Sequence, residues 1–364
     1  MYRVDSDALV VFASDLVEPL GLPPESARDV AESLVAADLR GHGSHGVTRV
    51  PYYRDLIAEG NLDPTGTPTV TAEDESIHVD GGRTFGQLVG RVAVEEGIEG
   101  ATEFGVSVVG VRNGGHLGRI GEWVERAADA GLVCLAFVNT QGGSFVVAPP
   151  GSSERRLSTN PIAFGIPTYG ALDFPIVLDM ATCQVANGKV RERRKQGHSL
   201  PEGWVVDDDG QPVRDPAAFA AGTGALQPLG GQVSGYKGFG LALVAELLAG
   251  IVGDTTVIGQ GDPETWSNAA AFVFVDPLRF TTKDGLRASV SALARHVEAT
   301  EGSEAFGPGH AATSDDALLP GQPEWETAQR RRRNGIPIPP EVAASLRDHA
   351  DEVGVDVPPG LFEE

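Results

Sequence analysis

The chain has 364 residues, 41% of them hydrophobic, enough for one large domain or two ordinary ones with a sizeable core. Its formal charge of −23 repels nucleic acid and anionic membrane surfaces, and no run approaches the ~18 apolar residues of a membrane span. The two cysteines, Cys134 and Cys183, form neither a disulfide framework nor a metal-ligand spacing, and the first residues lack the apolar stretch of a signal peptide, so the cytoplasm is the expected location.

Helices are predicted first. Asp5 or Ser6 caps a helix that carries Leu9, Phe12, Leu16 and Leu20. Pro23-Pro24-Glu25 starts a second, with Val30, Leu34 and Leu39 on one face, and Gly41 ends it. Ser44 is placed to cap a third, with Val47, Val50, Tyr53, Leu56 and Ile57 inward, so that His45 falls in its first turn. Beyond residue 66 the pattern is mixed. Strands are predicted over 69–72, 76–79, 106–111 and 133–138, with helices over 85–103 and 118–130 between them. A strand over 175–179 precedes a basic helix over 183–195, and 204–213 reads as a hairpin with an Asp-Gly turn. An apolar helix over 236–250, a strand over 269–275 and a helix over 286–300 follow. The small, polar, acidic stretch 302–321 is predicted to be a mobile loop, Arg330 to Arg333 a helix end, and 340–353 a last amphipathic helix.

Two segments have little to bury and much chemistry to offer. Arg40-Gly-His-Gly-Ser-His-Gly-Val-Thr-Arg49 holds two histidines and two arginines among glycines. Asn113-Gly-Gly-His-Leu-Gly-Arg-Ile-Gly121 repeats that character. Glycine lets a backbone approach a ligand closely, and two such patches suggest one site assembled from separate parts of the chain. Gly115-x-x-Gly118-x-x-Gly121 departs from G-x-G-x-x-G, and the next strand leads to Asn139-Thr140 instead of an acidic residue. A conventional Rossmann unit is therefore not expected, although a helix start near Gly118 can still bind phosphate. For His116 the bland alternative is a histidine in a turn. His42 and His45 have H-x-x-H spacing but no further ligands, so no metal is expected. Arg49, four residues after His45, shares a helix face with it on this reading and suits a substrate carboxylate; its alternative is a surface cation. Lys189, Arg191, Arg193, Arg194 and Lys195 read by default as a solvated face.

In their order, these segments resemble the malate/L-lactate dehydrogenase family of the non-Rossmann type. The matching stretches are Arg40-Gly-His-Gly-Ser-His-Gly, Gly115-His-Leu-Gly-Arg-Ile-Gly, Ser158-Thr-Asn-Pro161, Val177-Leu-Asp-Met-Ala-Thr182, Asn187-Gly-Lys189, Pro228-Leu-Gly-Gly231, Tyr236-Lys-Gly238 and Leu319-Pro-Gly321. The Gly-His-Leu-Gly-Arg-Ile-Gly form looks closest to the hydroxycarboxylate dehydrogenase B branch. The resemblance implies an α/β fold, with a mixed-sheet, sulfolactate dehydrogenase-like cofactor domain over 66–321. A helical substrate-side domain over 1–65, joined by 322–364, would complete it. It also implies a homodimer that takes NAD, with NADP possible, and a small carboxylate substrate.

By the same match, His45 and His116 flank the substrate, and Arg49 with Ser44 binds it. Gly118, Arg119, Ile120, Val177, Leu178, Asp179, Met180, Ala181, Tyr236, Lys237, Asn268, Gly321, Glu324 and Trp325 approach the cofactor. Three departures from the family pattern stand out. Gly43 replaces a usual Asp, Cys183 a usual Ser, and Gln232-Val-Ser-Gly235 is inserted before Tyr236. The activity implied is hydride transfer between nicotinamide and a 2-hydroxy or 2-oxo acid, with His116 as acid–base group and His45 orienting the substrate. Reduction of a cyclic imine carboxylate and a catalytically silent nucleotide-binding homologue are the alternatives.

Overall fold

The computed structural model describes residues 1–73, 76–141, 145–260, 266–299 and 317–363. Strand β1 (Tyr2–Val4) leads into α1 (Ser6–Val17), whose first turn is capped by Asp5 accepting from the N–H groups of Asp7 and Ala8. Proline opens α2 (Pro24–Leu39), where its fixed φ fits and no N–H is missed. Helix α3 (Val50–Ala58) follows. The sheet region comprises β2 (Thr69–Glu73), β3 (Ser76–Asp80), α4 (Gly86–Phe104), β4 (Val106–Gly114), α5 (Ile120–Asp129), β5 (Val133–Gln141), β6 (Ile162–Ile166) and β7 (Ile176–Met180). Then come α6 (Asn187–Lys195), β8 (Val205–Val206), α7 (Pro216–Ala220), β9 (Ala225–Leu226), α8 (Gly231–Val252) and β10 (Ser267–Val275). The chain closes with α9 (Lys283–Glu298), α10 (Gln322–Asn334), β11 (Ile336–Ile338) and α11 (Pro340–Val353).

Seven strands form one sheet in the order β2-β3-β4-β10-β5-β6-β7. Only β3 and β4 run parallel; every other neighbouring pair is antiparallel. That topology is a mixed α/β fold and differs from a doubly wound parallel sheet. Strand β10, latest in sequence, sits in the middle because both its faces are covered. Val109 and Val111 of neighbouring β4 join the core under α4 and α5, while at Gly110 a Cβ would lie 1.9 Å from the Val252 carbonyl at the end of α8. A side chain there would push α8 off the sheet.

Apolar packing falls into three clusters. The first gathers Leu9, Phe12, Leu34 and Tyr53 with Leu346 of α11, so the two ends of the chain share a core. The second, with Val89, Trp123, Phe272 and Phe274, fills the space between the sheet and α4 and α5. The third, with Leu157, Val190, Leu200 and Leu226, packs α6 and the segments that follow it.

Several elements depart from the sequence expectation. Strand β6 was not predicted; its Ile-Ala-Phe-Gly-Ile stretch is short and follows a proline. The basic helix starts at Asn187, because Cys183 bridges to Pro228 and keeps the preceding residues extended. Residues 302–316 of the expected loop lie outside the described residues, and 317–321 lead into α10. Helix α8 is 22 residues long and contains an 18-residue window of mean hydropathy 1.4, so by length and composition it is apolar enough to cross a membrane, contrary to the expectation. Leucines, valines and an isoleucine carry that value, while Ala242, Ala245 and Ala249 are buried on the inner face, where α8 packs on the sheet. Its outer face exposes Tyr236, Leu243, Val244, Leu247 and Ile251.

Candidate active site

The first site segment is held from behind. Residues Gly43–His45 and Val47–Arg49 form two 3-10 turns, parted by Gly46 in extended conformation. The Asp38 carboxylate at the end of α2 accepts the Val47 N–H at 2.8 Å. A Cβ at Gly46 would fall 2.0 Å from an Asp38 oxygen, so only glycine permits this contact. Burial lifts the Asp38 carboxyl to about 7, against the opposing effects of the Val47 bond and Arg331. The expected helix from Ser44 is therefore broken: α3 begins at Val50, and His45 and Arg49 do not share an α-helical face. They converge by another route, because the Arg49 Nε–H donates to the Ser44 carbonyl at 2.7 Å and turns the guanidinium back.

His116 lies in the turn after β4. The Leu117 N–H donates to Asn268 Oδ1 at 3.1 Å, where β10 slips register against β4. Asn268 in turn donates to the Asn139 carbonyl at 2.8 Å, and Asn139 donates to the buried Glu246 at 3.1 Å. Asn160 donates to the other Glu246 oxygen at 2.8 Å. A buried carboxylate satisfied by amide donors thus ties α8 to the turn that carries His116.

The two predicted imidazoles meet. Their rings stack with centroids 5.5 Å apart and 12° between planes. Ser44 Oγ lies 3.1 Å from His45 Nδ1, and the Tyr53 hydroxyl 3.1 Å from His116 Nδ1. Gln87 donates to the Tyr53 oxygen at 2.6 Å. The Tyr53 oxygen can also accept from a proton on His116 Nδ1, and in that tautomer the Nε2 lone pair of neutral His116 is free. Desolvation holds both histidines well below the ordinary imidazole range, and the Arg49 charge is the next cause for each.

A cavity of about 650 Å³ opens over this pair. It is lined by His45, Arg49, His116, Gly118, Arg119, Ile120, Asp179, Met180, Ala181 and Asn268 among the predicted residues. Val177, Gly321, Glu324 and Trp325 line an adjoining cleft that shares His42, Arg119 and Asp179 with it. Ser44 lines neither space and touches His45 instead. Leu178, Tyr236 and Lys237 line neither space, and Tyr236 is 64% exposed on the far side of α8. Among the described residues no cluster of three His, Cys, Asp or Glu side chains is placed to hold a metal.

The walls fit a dinucleotide. The volume lies within the ~300–1,000 Å³ of small-molecule and cofactor sites. Arg119 is buried, paired with Glu125, and its Nε–H has no partner, which leaves a donor for an anionic group at the wall. Glu125 also holds Arg40 at 2.6 Å. Gly118 has φ 74°, and the Gly121 N–H at the start of α5 donates to Asp179 at 2.7 Å. Some residues at the site were not foreseen. Tyr53 reads as core and is buried, yet a buried tyrosine needs a partner for its hydroxyl, and that requirement was its signal. Tyr52, Gln87 and Trp266 gave none.

The mixed sheet departs from a Rossmann domain, and its cavity sets two imidazoles beside a guanidinium. The chain belongs to the malate/L-lactate dehydrogenase family, whose sequence model matches residues 4–347. A malate dehydrogenase of Pyrococcus abyssi is 34% identical over 360 residues, 97% of this chain and 95% of that protein. Hydroxycarboxylate dehydrogenase B of Escherichia coli is 32% identical over 361 residues, 97% of this chain and 95% of that protein. The solved sulfolactate dehydrogenase of Methanocaldococcus jannaschii superposes with a TM-score of 0.81 at 31% identity, covering 97% of this chain and 98% of that one.

Proposed function

We propose that the protein moves a hydride between NAD and the alpha carbon of a small 2-hydroxy or 2-oxo acid. The observation that carries this is the pair of stacked, uncharged imidazoles beside Arg49 in one cavity. Gly118, Arg119, Ile120, Asp179, Met180, Ala181 and Asn268 would hold the cofactor, with Val177, Gly321, Glu324 and Trp325 at the adjoining cleft. When bound, the nicotinamide supplies or accepts the hydride. Arg49 grips the substrate carboxylate through two parallel hydrogen bonds. In reduction the doubly protonated His116 gives its Nε2 proton to the carbonyl oxygen and keeps the Nδ1 proton; in oxidation the unprotonated Nε2 of neutral His116 takes the hydroxyl proton. Tyr53 fixes the ring from Nδ1, and His45, steadied by Ser44, orients the substrate. An NADH-oxidation screen over 2-oxo acids tests this reading, and turnover of cyclic imine carboxylates with no oxo acid reduced would replace it. Asp179 favours NAD, because a carboxylate accepts from a ribose 2′-hydroxyl and repels a 2′-phosphate. A higher kcat/KM with NADPH than with NADH would reverse that preference.

The assembly belongs to the same proposal. Residues 1–65 with 322–364 form the substrate-side domain, supported by the shared core of the chain's ends, and 66–321 form the cofactor domain. The exposed apolar face of α8 is covered by a second copy, which makes a homodimer. Leu247→Glu, placed on that face, should give a monomer in light scattering where the unaltered protein gives a dimer. A monomeric parent protein would overturn the dimer. The unpaired, buried cysteines support a cytoplasmic location.

A further inference from the structure

The cavity holds more cationic side chains than one substrate carboxylate requires. Helix α6 docks beside the Ser44 turn through Gly188, where a Cβ would lie 2.8 Å from Ser44 Cβ and 3.7 Å from an Arg49 nitrogen. That approach sets Lys189 and Arg191 at the cavity mouth, next to Arg49. The Arg49 guanidinium lies 5.3 Å from the Tyr52 ring centre, and that of Arg191 lies 6.0 Å from the same centre. Among the described residues, Arg49, Lys189 and Arg191 have no carboxylate within ion-pair distance. The two carboxylates that line the cavity are engaged elsewhere: Asp179 accepts the Gly121 N–H at 2.7 Å, and Glu192 accepts from Gln196 at 3.2 Å. Like charges gathered without a counter-ion repel one another, and Arg191 depresses protonation of both Arg49 and His116. This happens in a chain whose net charge is −23.

We propose that Arg191, beside Tyr52, and Lys189 form a second anion subsite, and that the substrate is a 2-oxo or 2-hydroxy acid with a second anionic group on its side chain. The inference rests on the reading of the cavity as an oxo-acid site. Arg49 takes the carboxylate next to the reacting carbon, and the distal group reaches the mouth, where Arg191 and Lys189 meet it. A monoanion leaves the mouth cations unpaired. A dianion neutralises them and lowers the positive charge that opposes protonation of His116, so it assists both binding and proton supply.

The test compares oxaloacetate and 2-oxoglutarate with pyruvate and 2-oxobutanoate in NADH oxidation. The better dianion should exceed the monoanions ~10–100-fold in kcat/KM, and Arg191→Gln should bring that ratio close to one. Thermal unfolding with L-malate or L-lactate, at matched ionic strength, gives a readout that needs no turnover: malate should raise Tm more, and Arg191→Gln should remove the difference. Equal or better use of pyruvate would overturn the subsite, as would a dianion preference that survives Arg191→Gln. If no oxo acid is reduced, the proposed activity fails, and the Tm comparison still decides the subsite: a larger shift with malate supports it, and equal shifts refute it.

Discussion

His116→Ala should lower kcat by ~10²–10⁴-fold while the fold and NADH affinity persist, the loss expected for a positioned acid–base group. His116 sits where both site segments meet. Its ring is held from behind by Tyr53, itself held by Gln87, and its backbone is held at Leu117 by Asn268. Nothing in that arrangement serves a surface histidine, and its Nε2 remains to meet a substrate. His45 rests on Ser44 and stacks on His116, nearer the turn from which Arg49 folds back. His45→Ala should therefore raise KM more than it lowers kcat. Steady-state kinetics and circular dichroism of the two variants decide the assignment. If His45→Ala carries the loss in kcat and His116→Ala the rise in KM, the two roles are exchanged.

Removal of Arg49 should be nearly as severe. Its side chain is desolvated, it stacks against Tyr52, and its Nε–H is already given to the Ser44 carbonyl. The terminal nitrogens are left for a ligand. Arg49→Ala should cost ~2–5 kcal/mol in kcat/KM for 2-oxo acids, the loss typical of breaking a buried charge pair. Arg49→Lys keeps the charge and loses the planar fork, so it should raise KM and leave NADH binding nearly intact. Kinetics unchanged in both variants would make Arg49 a structural cation.

What the sequence revealed and what it hid divide along a physical line. Local signals were legible. Asp5 caps α1 as its side chain requires, α11 ends where its periodicity ends, and the glycine-rich patches flagged the site segments before any contact was known. Long-range contacts were not. Whether residues 44–49 continue as a helix is decided by Asp38, whose carboxylate takes the Val47 N–H and fills the space beside Gly46. Helix propensity and spacing carry no trace of that bond. Tyr53 passed for core because its ring is core; only its hydroxyl belongs to the site. The basic run 189–195 read as a solvated face, yet Lys189, Arg191 and Arg193 line the cavity, because Gly188 lets α6 approach the Ser44 turn. The inserted Gln232 to Gly235 is absorbed into the start of α8, with Ser234 out of helical geometry, and Tyr236 then lies on the outer face.

The pH dependence of oxo-acid reduction tests the central claim most directly. Burial and the Arg49 charge hold both imidazoles well below the ordinary 6.5 in the free protein, so each is neutral near pH 7. Reduction needs the protonated acid. Its kcat/KM should therefore rise as pH falls, about tenfold per unit, towards a limb below pH 6.5, where His116 gains its proton. In kcat the limb should lie at higher pH, because a bound carboxylate pairs Arg49 and removes part of the charge that opposes that proton. His116→Ala should abolish the limb. A wild-type profile flat from acid to neutral pH, or a limb that persists unchanged in His116→Ala, would contradict the assignment of proton transfer to this imidazole.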